Sequence, residues 1–257
     1  SDQVRLGLSR TYKAPTVGDL NPRRFIANDN TATTPDLQGN PNLRPELAWG
    51  LDLAYEHYIG KSGGLVSVSA FARRIEDVIT RVTTQDQNGK WVSTPSNVGS
   101  ADVQGVGLEA KLPLKEIDSS WPDINVRANV NWNHSRVHSV PGPDNRLAKQ
   151  TPFTMGMGAD YRLPGGKWTM GVDFTLDGGG PVRIAAGQRE DKHSKRNLDA
   201  YIAWKVDAST HVRFSGSNLL RQAVIVDSSI ADSTGTFDQR AYNYQPRIWR
   251  VSLESKF

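Results

Sequence analysis

Ile124-Asn125-Val126-Arg127-Ala128-Asn129-Val130-Asn131-Trp132-Asn133 changes character at every residue. Ile124, Val126, Ala128, Val130 and Trp132 fall on one side; Asn125, Arg127, Asn129, Asn131 and Asn133 fall on the other. Only a strand, whose side chains point alternately to two faces, sorts residues this way. The pattern then repeats. Phe153, Met155, Met157, Ala159, Tyr161 and Leu163 alternate with Thr154, Gly156, Gly158, Asp160 and Arg162, and Trp168, Met170, Val172, Phe174 and Leu176 with Thr169, Gly171, Asp173, Thr175 and Asp177. Further runs pass through Val4-Leu6-Leu8, Trp49-Leu51-Leu53-Tyr55, Val106-Leu108-Ala110-Leu112, Leu198-Ala200-Ile202-Trp204-Val206 and Trp249-Val251-Leu253-Phe257. They predict about ten strands, most of them longer than the roughly five or six residues usual in globular sheets.

The connections alternate as well. Short ones (60–64, 164–167, 207–209, and a somewhat longer 115–122) take turns with long polar ones at 14–46, 85–97, 139–151, 178–195 and 221–244. Short turn, long loop, short turn is the order of an antiparallel up-and-down meander with its long loops at one end. The polar strand face, rich in Asn, Arg, Asp, Ser, Thr and Gly, suits a wide wet lumen, leaving the apolar face for lipid. Tyr55, Trp132, Tyr161, Trp168 and Trp249 lie near strand ends, where amphipathic rings meet lipid headgroups.

Composition agrees with this once the alternation is known. The chain has 257 residues, 37% of them hydrophobic, and a mean hydropathy of -0.52. No apolar run approaches the ~20 residues of a transmembrane helix, but a transmembrane strand needs only about 9–11, half of them apolar. With no cysteine, disulfides and thiolate chemistry are excluded. A net charge of +4, with the charges interspersed, gives no basic stripe for nucleic acid. Ser1-Asp2 leads straight into patterned sequence with no signal peptide, as expected of a mature chain or a fragment. One segment resists: Phe71, Ile75, Val78 and Ile79 have helical spacing, yet their β-branched flanks Val66, Val68, Thr80, Val82 and Thr83 predict a strand with a bulge or a switch of face.

Four stretches carry a resemblance. Arg10, Lys13-Ala14-Pro15 and Leu20 resemble a strand ending in Ala-Pro before a long loop. Gly39-Asn40-Pro41-Asn42-Leu43-Arg44-Pro45-Glu46 is similar to a "GNPxLxPE" element. Asn97-Val98-Gly99 with Gly105-Val106-Gly107-Leu108-Glu109-Ala110 resembles an "N…G.E.E" strand, with Gly107 in place of an acid. Ser217-Asn218-Leu219-Leu220 precedes a last strand finishing at Phe257. Together they resemble the C-terminal half of the barrel of TonB-dependent outer-membrane receptors. The resemblance implies that residues 1–257 are about the last ten strands of a roughly 22-stranded, plugged barrel, with plug domain and earlier strands lying outside the chain. It further implies location in the outer membrane of a Gram-negative bacterium. Its function would be active nutrient import driven by proton-motive force through TonB, with a ferric siderophore as the commonest cargo. Outer-membrane lipid and lipopolysaccharide would be its surroundings. Ten strands alone would leave two unpaired edges, so a curved partial barrel is expected, completed by another segment.

The candidate chemistry is sparse. Asn-Pro and Arg-Pro in 40–45 stiffen a return from loop to wall, so Asn40, Pro41, Leu43, Pro45 and Glu46 read as structural, as do Ala14, Pro15, Gly105, Asn218 and Phe257. His134 and His138 would be about 13 Å apart on a strand, too far for one metal ion. Gly178-Gly179-Gly180 precedes Pro181 rather than a helix, and reads as a flexible loop, not a phosphate cradle. No nucleophile-base grouping or cofactor motif stands out, which leaves no enzyme and no cofactor to expect. Arg183, Arg189 and Lys192 in the fourth long loop, with lumen-facing Arg127 and Arg213, are the candidates for an anionic ligand; ordinary solvated charge is the bland alternative. A passive channel and a soluble β-sandwich binding module remain as other classes. Expression without detergent separates the last: a lipid-facing wall aggregates, whereas a sandwich stays in the supernatant after ultracentrifugation.

Overall fold

The computed structural model describes residues 1–60, 63–148, 150–233 and 235–255. In chain order these form β1 (Asp2–Lys13), α1 (Val17–Leu20), β2 (Asp36–Leu37), β3 (Glu46–Ile59), β4 (Gly64–Glu76), β5 (Ile79–Gln85), β6 (Trp91–Asn97) and β7 (Ala101–Pro113). There follow α2 (Leu114–Ile117), β8 (Ile124–Val137), β9 (Phe153–Arg162), β10 (Trp168–Asp177), β11 (Gly180–Ala185), β12 (Gln188–Lys192), β13 (Lys195–Lys205), β14 (Thr210–Ser217), β15 (Val224–Asp232), β16 (Gly235–Asn243) and β17 (Ile248–Ser255). Ten of them make one antiparallel sheet in the order β1-β3-β4-β7-β8-β9-β10-β13-β14-β17, a meander with β1 and β17 at its two edges. The expected ten-stranded, unclosed wall is what forms. Phe257 lies outside the described residues.

Register explains why the alternation is so regular. Leu6 pairs with Leu53, Leu53 with Ala70, Ala70 with Val106, Val106 with Trp132 and Trp132 with Phe153. Across the other half, Met170 pairs with Ile202, Ile202 with Phe214 and Phe214 with Val251. Every apolar set therefore lands on the same outer face, and among the described residues no second sheet covers it. Leu6 is 74% exposed and Leu253 69%. About twenty large apolar side chains stand out there. At about 1 kcal/mol each for half-exposed groups they would forfeit roughly 20 kcal/mol in water, above the roughly 5–15 kcal/mol that holds a domain together. This is the face of a barrel wall, not of a sandwich. Aromatics border it at both ends: Trp168 stacks on Trp204 at 5.6 Å beside the short turns, and Trp132 meets Phe153 at 5.5 Å nearer the long loops.

On the inner face, glycines alternate with long polar side chains across the strands. Gly158 sits between Arg127 and Asp173, and Gly171 between Asp160 and Tyr201. The missing Cβ lets the neighbours lie flat on the wall. Arg127 reaches over Gly158 to Asp160 and, at 2.7 Å, to Asp173; Tyr201 lies over Gly171 and donates to Asp160 at 2.6 Å. Arg73 lies over Gly50 to Asp52 at 2.5 Å, and Asn133 and Phe71 cover Gly105.

Three expectations need correction. β4 keeps its register on both sides, without a bulge, and ends at Glu76. The chain then breaks at Asp77 (φ 55°), and the following residues join a different sheet as β5. The helical spacing of Phe71, Ile75, Val78 and Ile79 thus spans the junction of two strands. The long loops are not merely polar loops: they hold a β2-β6-β5 sheet and a β11-β12-β15-β16 sheet. Nor is 178–180 a flexible loop. A Cβ on Gly179 would stand 2.6 Å from the His193 carbonyl carbon and Ser194 nitrogen, so two backbones cross in contact there.

A paired substitution tests the glycine-backed wall. Gly171→Ala drives a methyl into Tyr201 and Asp160, an overpacking cost of about 1–3 kcal/mol. Gly7→Ala meets Asp52 at an ordinary 3.7 Å and is expected to be neutral or slightly stabilising. Thermal midpoints of the complete barrel in detergent should fall only for the first.

Candidate functional site

All the long loops leave one end of the wall, and the Gly39–Glu46 stretch fixes how the first one returns to it. Asn40 accepts from Asn42 N–H at 3.0 Å and donates to the Pro95 carbonyl at 3.2 Å. Asn97 in β6 accepts from Arg44 N–H at 2.9 Å and donates to the carbonyls of Arg44 and Asp77. Glu46 takes Lys13 on one oxygen (2.9 Å) and Ile79 N–H on the other (2.7 Å). Leu43 is buried, and Ala14 and Pro15 follow the end of β1 directly. The motif is a clasp joining the first two long loops to the rims of β1, β3 and β5. At the far end of the wall Asn218 (φ 53°) donates to Gln245 O and Pro246 O, tying the exit of β14 to the approach of β17.

The loops are then locked to one another. Asn30 grips the backbone of Trp91 from both sides at 2.8 Å, and Arg24 bridges Asp36 (2.8 Å) and Asp86 (2.7 Å). Ala27 N–H, Asn30 and Arg24 hold the Asp36 carboxyl below its usual range. Ala32, Trp91 and Ile230 form a small buried cluster spanning three loops, and Trp91 meets Phe237 edge-on at 5.6 Å. Gln188 accepts from Thr83 N–H at 3.1 Å; Arg146 donates to Gly180 O at 2.5 Å. On the four-stranded loop sheet, Arg240 and then His193 grip Asp227 and push its carboxyl far below the ordinary range.

Between these two sheets and the inner rim lies a cavity of about 860 Å³ to which all five long loops contribute. Its cations are Lys13, Arg81, Arg189 and Lys192, its anions Asp19, Glu46 and Glu190. Lys13 is taken by Glu46, and Arg81 by Asp19 at 3.2 Å. Thr16 first, then Arg81, keeps Asp19 ionised below the usual carboxylate range. Arg189 has only a distant ion pair with Asp144, at 3.5 Å, and Lys192 has no ion pair among the described residues. Glu190, the third cavity anion, likewise has no ion pair among the described residues. Thr33, Gln150 and Gln188 add neutral hydrogen-bonding groups.

The five ligand candidates therefore separate. Arg189 and Lys192 both border the cavity from β12 but on opposite faces of that strand: Lys192 shares its face with Gln188 and Glu190, whereas Arg189 stands opposite Arg183. Arg183, on β11, instead points to Gly142 O (3.4 Å), and its N–H bonds Asp144 O. Arg127 is committed to two aspartates on the wall, and Arg213 lies 3.7 Å over the Tyr201 ring. Arg81, Thr33 and Gln188 were not singled out by sequence. Nothing local marks them, because they meet only through loop-to-loop pairing. His138 pairs with Asp102 at 2.8 Å.

Comparison with known proteins agrees with this architecture. The family model for the TonB dependent receptor-like β-barrel matches residues 1–219. The vitamin B12 transporter BtuB of Vibrio vulnificus (strain YJ016) is 29% identical over 136 residues, 47% of this chain and 19% of that protein. The siderophore receptor PirA from Pseudomonas aeruginosa superposes with a TM-score of 0.62 at 19% identity, over 100% of this chain and 39% of its own. The copper transporter OprC gives 0.66 at 17% identity, over 100% and 37%. The chain thus spans well under half of these relatives, and their likeness in structure concerns the fold. With the family model covering most of the chain, an unclosed ten-stranded wall and a shared loop vestibule, this chain belongs to the TonB-dependent receptor β-barrel family.

Proposed function

We propose that the chain supplies the C-terminal wall and five extracellular loops of an outer-membrane importer for a scarce nutrient, with a ferric siderophore as cargo. The missing strands would pair with the edges of β1 and β17, and a plug would occupy the lumen. Energy would reach that plug from the inner-membrane proton-motive force through TonB. The wall itself performs no chemistry. On its inner face Arg73, Arg127, Asp52, Asp160 and Asp173 are paired with one another, which suits a stable channel lining around a moving plug.

The observation that carries this reading is the vestibule that all five long loops build, with Lys192 beside Glu190 on the cavity face of β12 and Arg189 at its edge. Ferric siderophores are commonly anionic, and a partly enclosed site strengthens attraction to such a ligand relative to open water. PirA, a siderophore receptor, shares the fold, which fits this cargo without fixing it.

Binding to the complete receptor, followed by fluorescence quenching with a panel of ferric siderophores, tests the assignment. Arg189→Ala with Lys192→Ala is expected to weaken the bound siderophore about tenfold or more, the loss of one or two charge-assisted hydrogen bonds. Arg183→Ala, outside the cavity, should change affinity less than about twofold. Equal affinities for all variants would dispose of the vestibule as the capture site. Uptake that persists without TonB would remove the active-import reading and leave a passive channel.

A further inference from the structure

On β12 the pleat sorts Gln188, Glu190 and Lys192 onto the vestibule side, and Arg189 and Asp191 onto the other. Glu190 is half-buried, Lys192 exposed at the end of the strand. Neither has an ion pair among the described residues, and the register shows why. Glu190 stands between Val182 on β11 and Ser228 on β15; Lys192 stands between Gly180 and Val226. Diagonally across the ladders, Glu190 meets Gly180, Val226 and Ile230. Cross-strand neighbours are the ones within reach on a sheet face, and here they carry no charge.

The other charges of the cavity are committed. Lys13 holds Glu46 at 2.9 Å and Arg81 holds Asp19 at 3.2 Å, while Arg189, on the far face of β12, is paired at 3.5 Å with Asp144. What remains on the vestibule side is one carboxylate and one ammonium, rooted about 7 Å apart by two residues of strand rise. Ser228, Thr33 and Gln150 add neutral hydrogen-bonding groups to the same cavity, and Ile184 and Ile230 apolar surface. A half-buried carboxylate has lost part of its hydration, and gains most from a cation that brings a hydrogen bond with it. A wholly anionic ligand satisfies Lys192 but sets like charge against Glu190, which costs affinity. A ligand of both signs meets both groups.

We propose that the cargo is a zwitterionic ferric chelate, one whose organic frame carries a free ammonium as well as a carboxylate, with the ammonium on Glu190 and the carboxylate on Lys192. Such a cargo narrows the siderophore reading above and rests on it. Glu190 is then the specificity-determining residue: it disfavours wholly anionic chelates, whereas Lys192 attracts both kinds.

Fluorescence quenching on the complete receptor tests it with four forms of one linear trihydroxamate chelate, whose hydroxamates neutralise the ferric ion so that only its two ends carry charge. The forms have amine and carboxylate both free, the amine acetylated, the carboxylate amidated, or both capped. The unaltered receptor is expected to bind the doubly free form about tenfold more tightly than either singly capped one. Glu190→Gln should bring the acetylated form within about twofold of the free one and keep discrimination against the amidated form; Lys192→Gln should do the reverse. Asp191→Asn, on the opposite face of β12, should preserve both preferences. An acetylated form that binds the unaltered receptor as well as the free one, or a full preference retained by Glu190→Gln, overturns the assignment. Should either variant not fold, the four-form comparison on the unaltered receptor decides alone. Binding of all four alike, or of none while wholly anionic siderophores bind, removes the zwitterionic cargo and leaves the siderophore receptor standing. Absence of binding by any ferric chelate removes both.

Discussion

Backbone amides and carbonyls facing hydrocarbon have no water to turn to, so each must find its partner in the next strand. That requirement explains the unbroken pairing across the ten wall strands, where no register shift interrupts any of the nine ladders. A slip by one residue would turn every apolar side chain into the lumen and every polar one into lipid. The ladder therefore fixes both faces at once. It also makes β1 and β17 incomplete by themselves, since their outer backbone groups need a further strand each.

The inner face obeys a second, steric constraint. Side chains directly opposite on neighbouring strands are about 5 Å apart, too close for rows of arginines, aspartates and tyrosines to stand side by side. Gly50, Gly158 and Gly171 resolve this by leaving space into which Arg73, Arg127 and Tyr201 fold down. Charged groups then pair along the wall instead of projecting into the lumen. Individually, such half-exposed pairs contribute little stability. Their effect is geometric: they hold these side chains flat against the wall.

Much of this was legible in the sequence because lipid and water impose opposite demands on alternate residues. Residues 124–133, 153–163 and 168–177 carry the pattern plainly, and the strands formed where it predicted. The loop sheets were illegible for the complementary reason. Gln188–Lys192 is polar throughout, and all nine residues of Gly235–Asn243 are exposed. With water on both faces, no binary pattern marks a strand. The vestibule fared likewise. Arg189 and Lys192 could be named as loop cations, but Arg183 could not be set apart from them by sequence, since its position depends on which way β11 pairs. The Asn-Pro-Asn-Leu-Arg-Pro-Glu element could be read as a stiff return, yet its partners Asn97, Asp77 and Ile79 lie in another loop.

Those partners show how the loop bases are held independently of the loop tips. The clasp takes its strength from backbone groups, namely Arg44 N–H and O, Asp77 O, Ile79 N–H and Pro95 O, held by the side chains of Asn40, Glu46 and Asn97. Backbone groups persist through most substitutions, so the loop bases stay anchored whatever the tips contain. Above them, contacts such as Trp91 with Ala32 and Ile230 are side chain to side chain. Exchanging a few residues on β12 or in the first loop would change the lining of the vestibule. The ladder below, its register fixed by lipid and lumen, would not be disturbed by such exchanges.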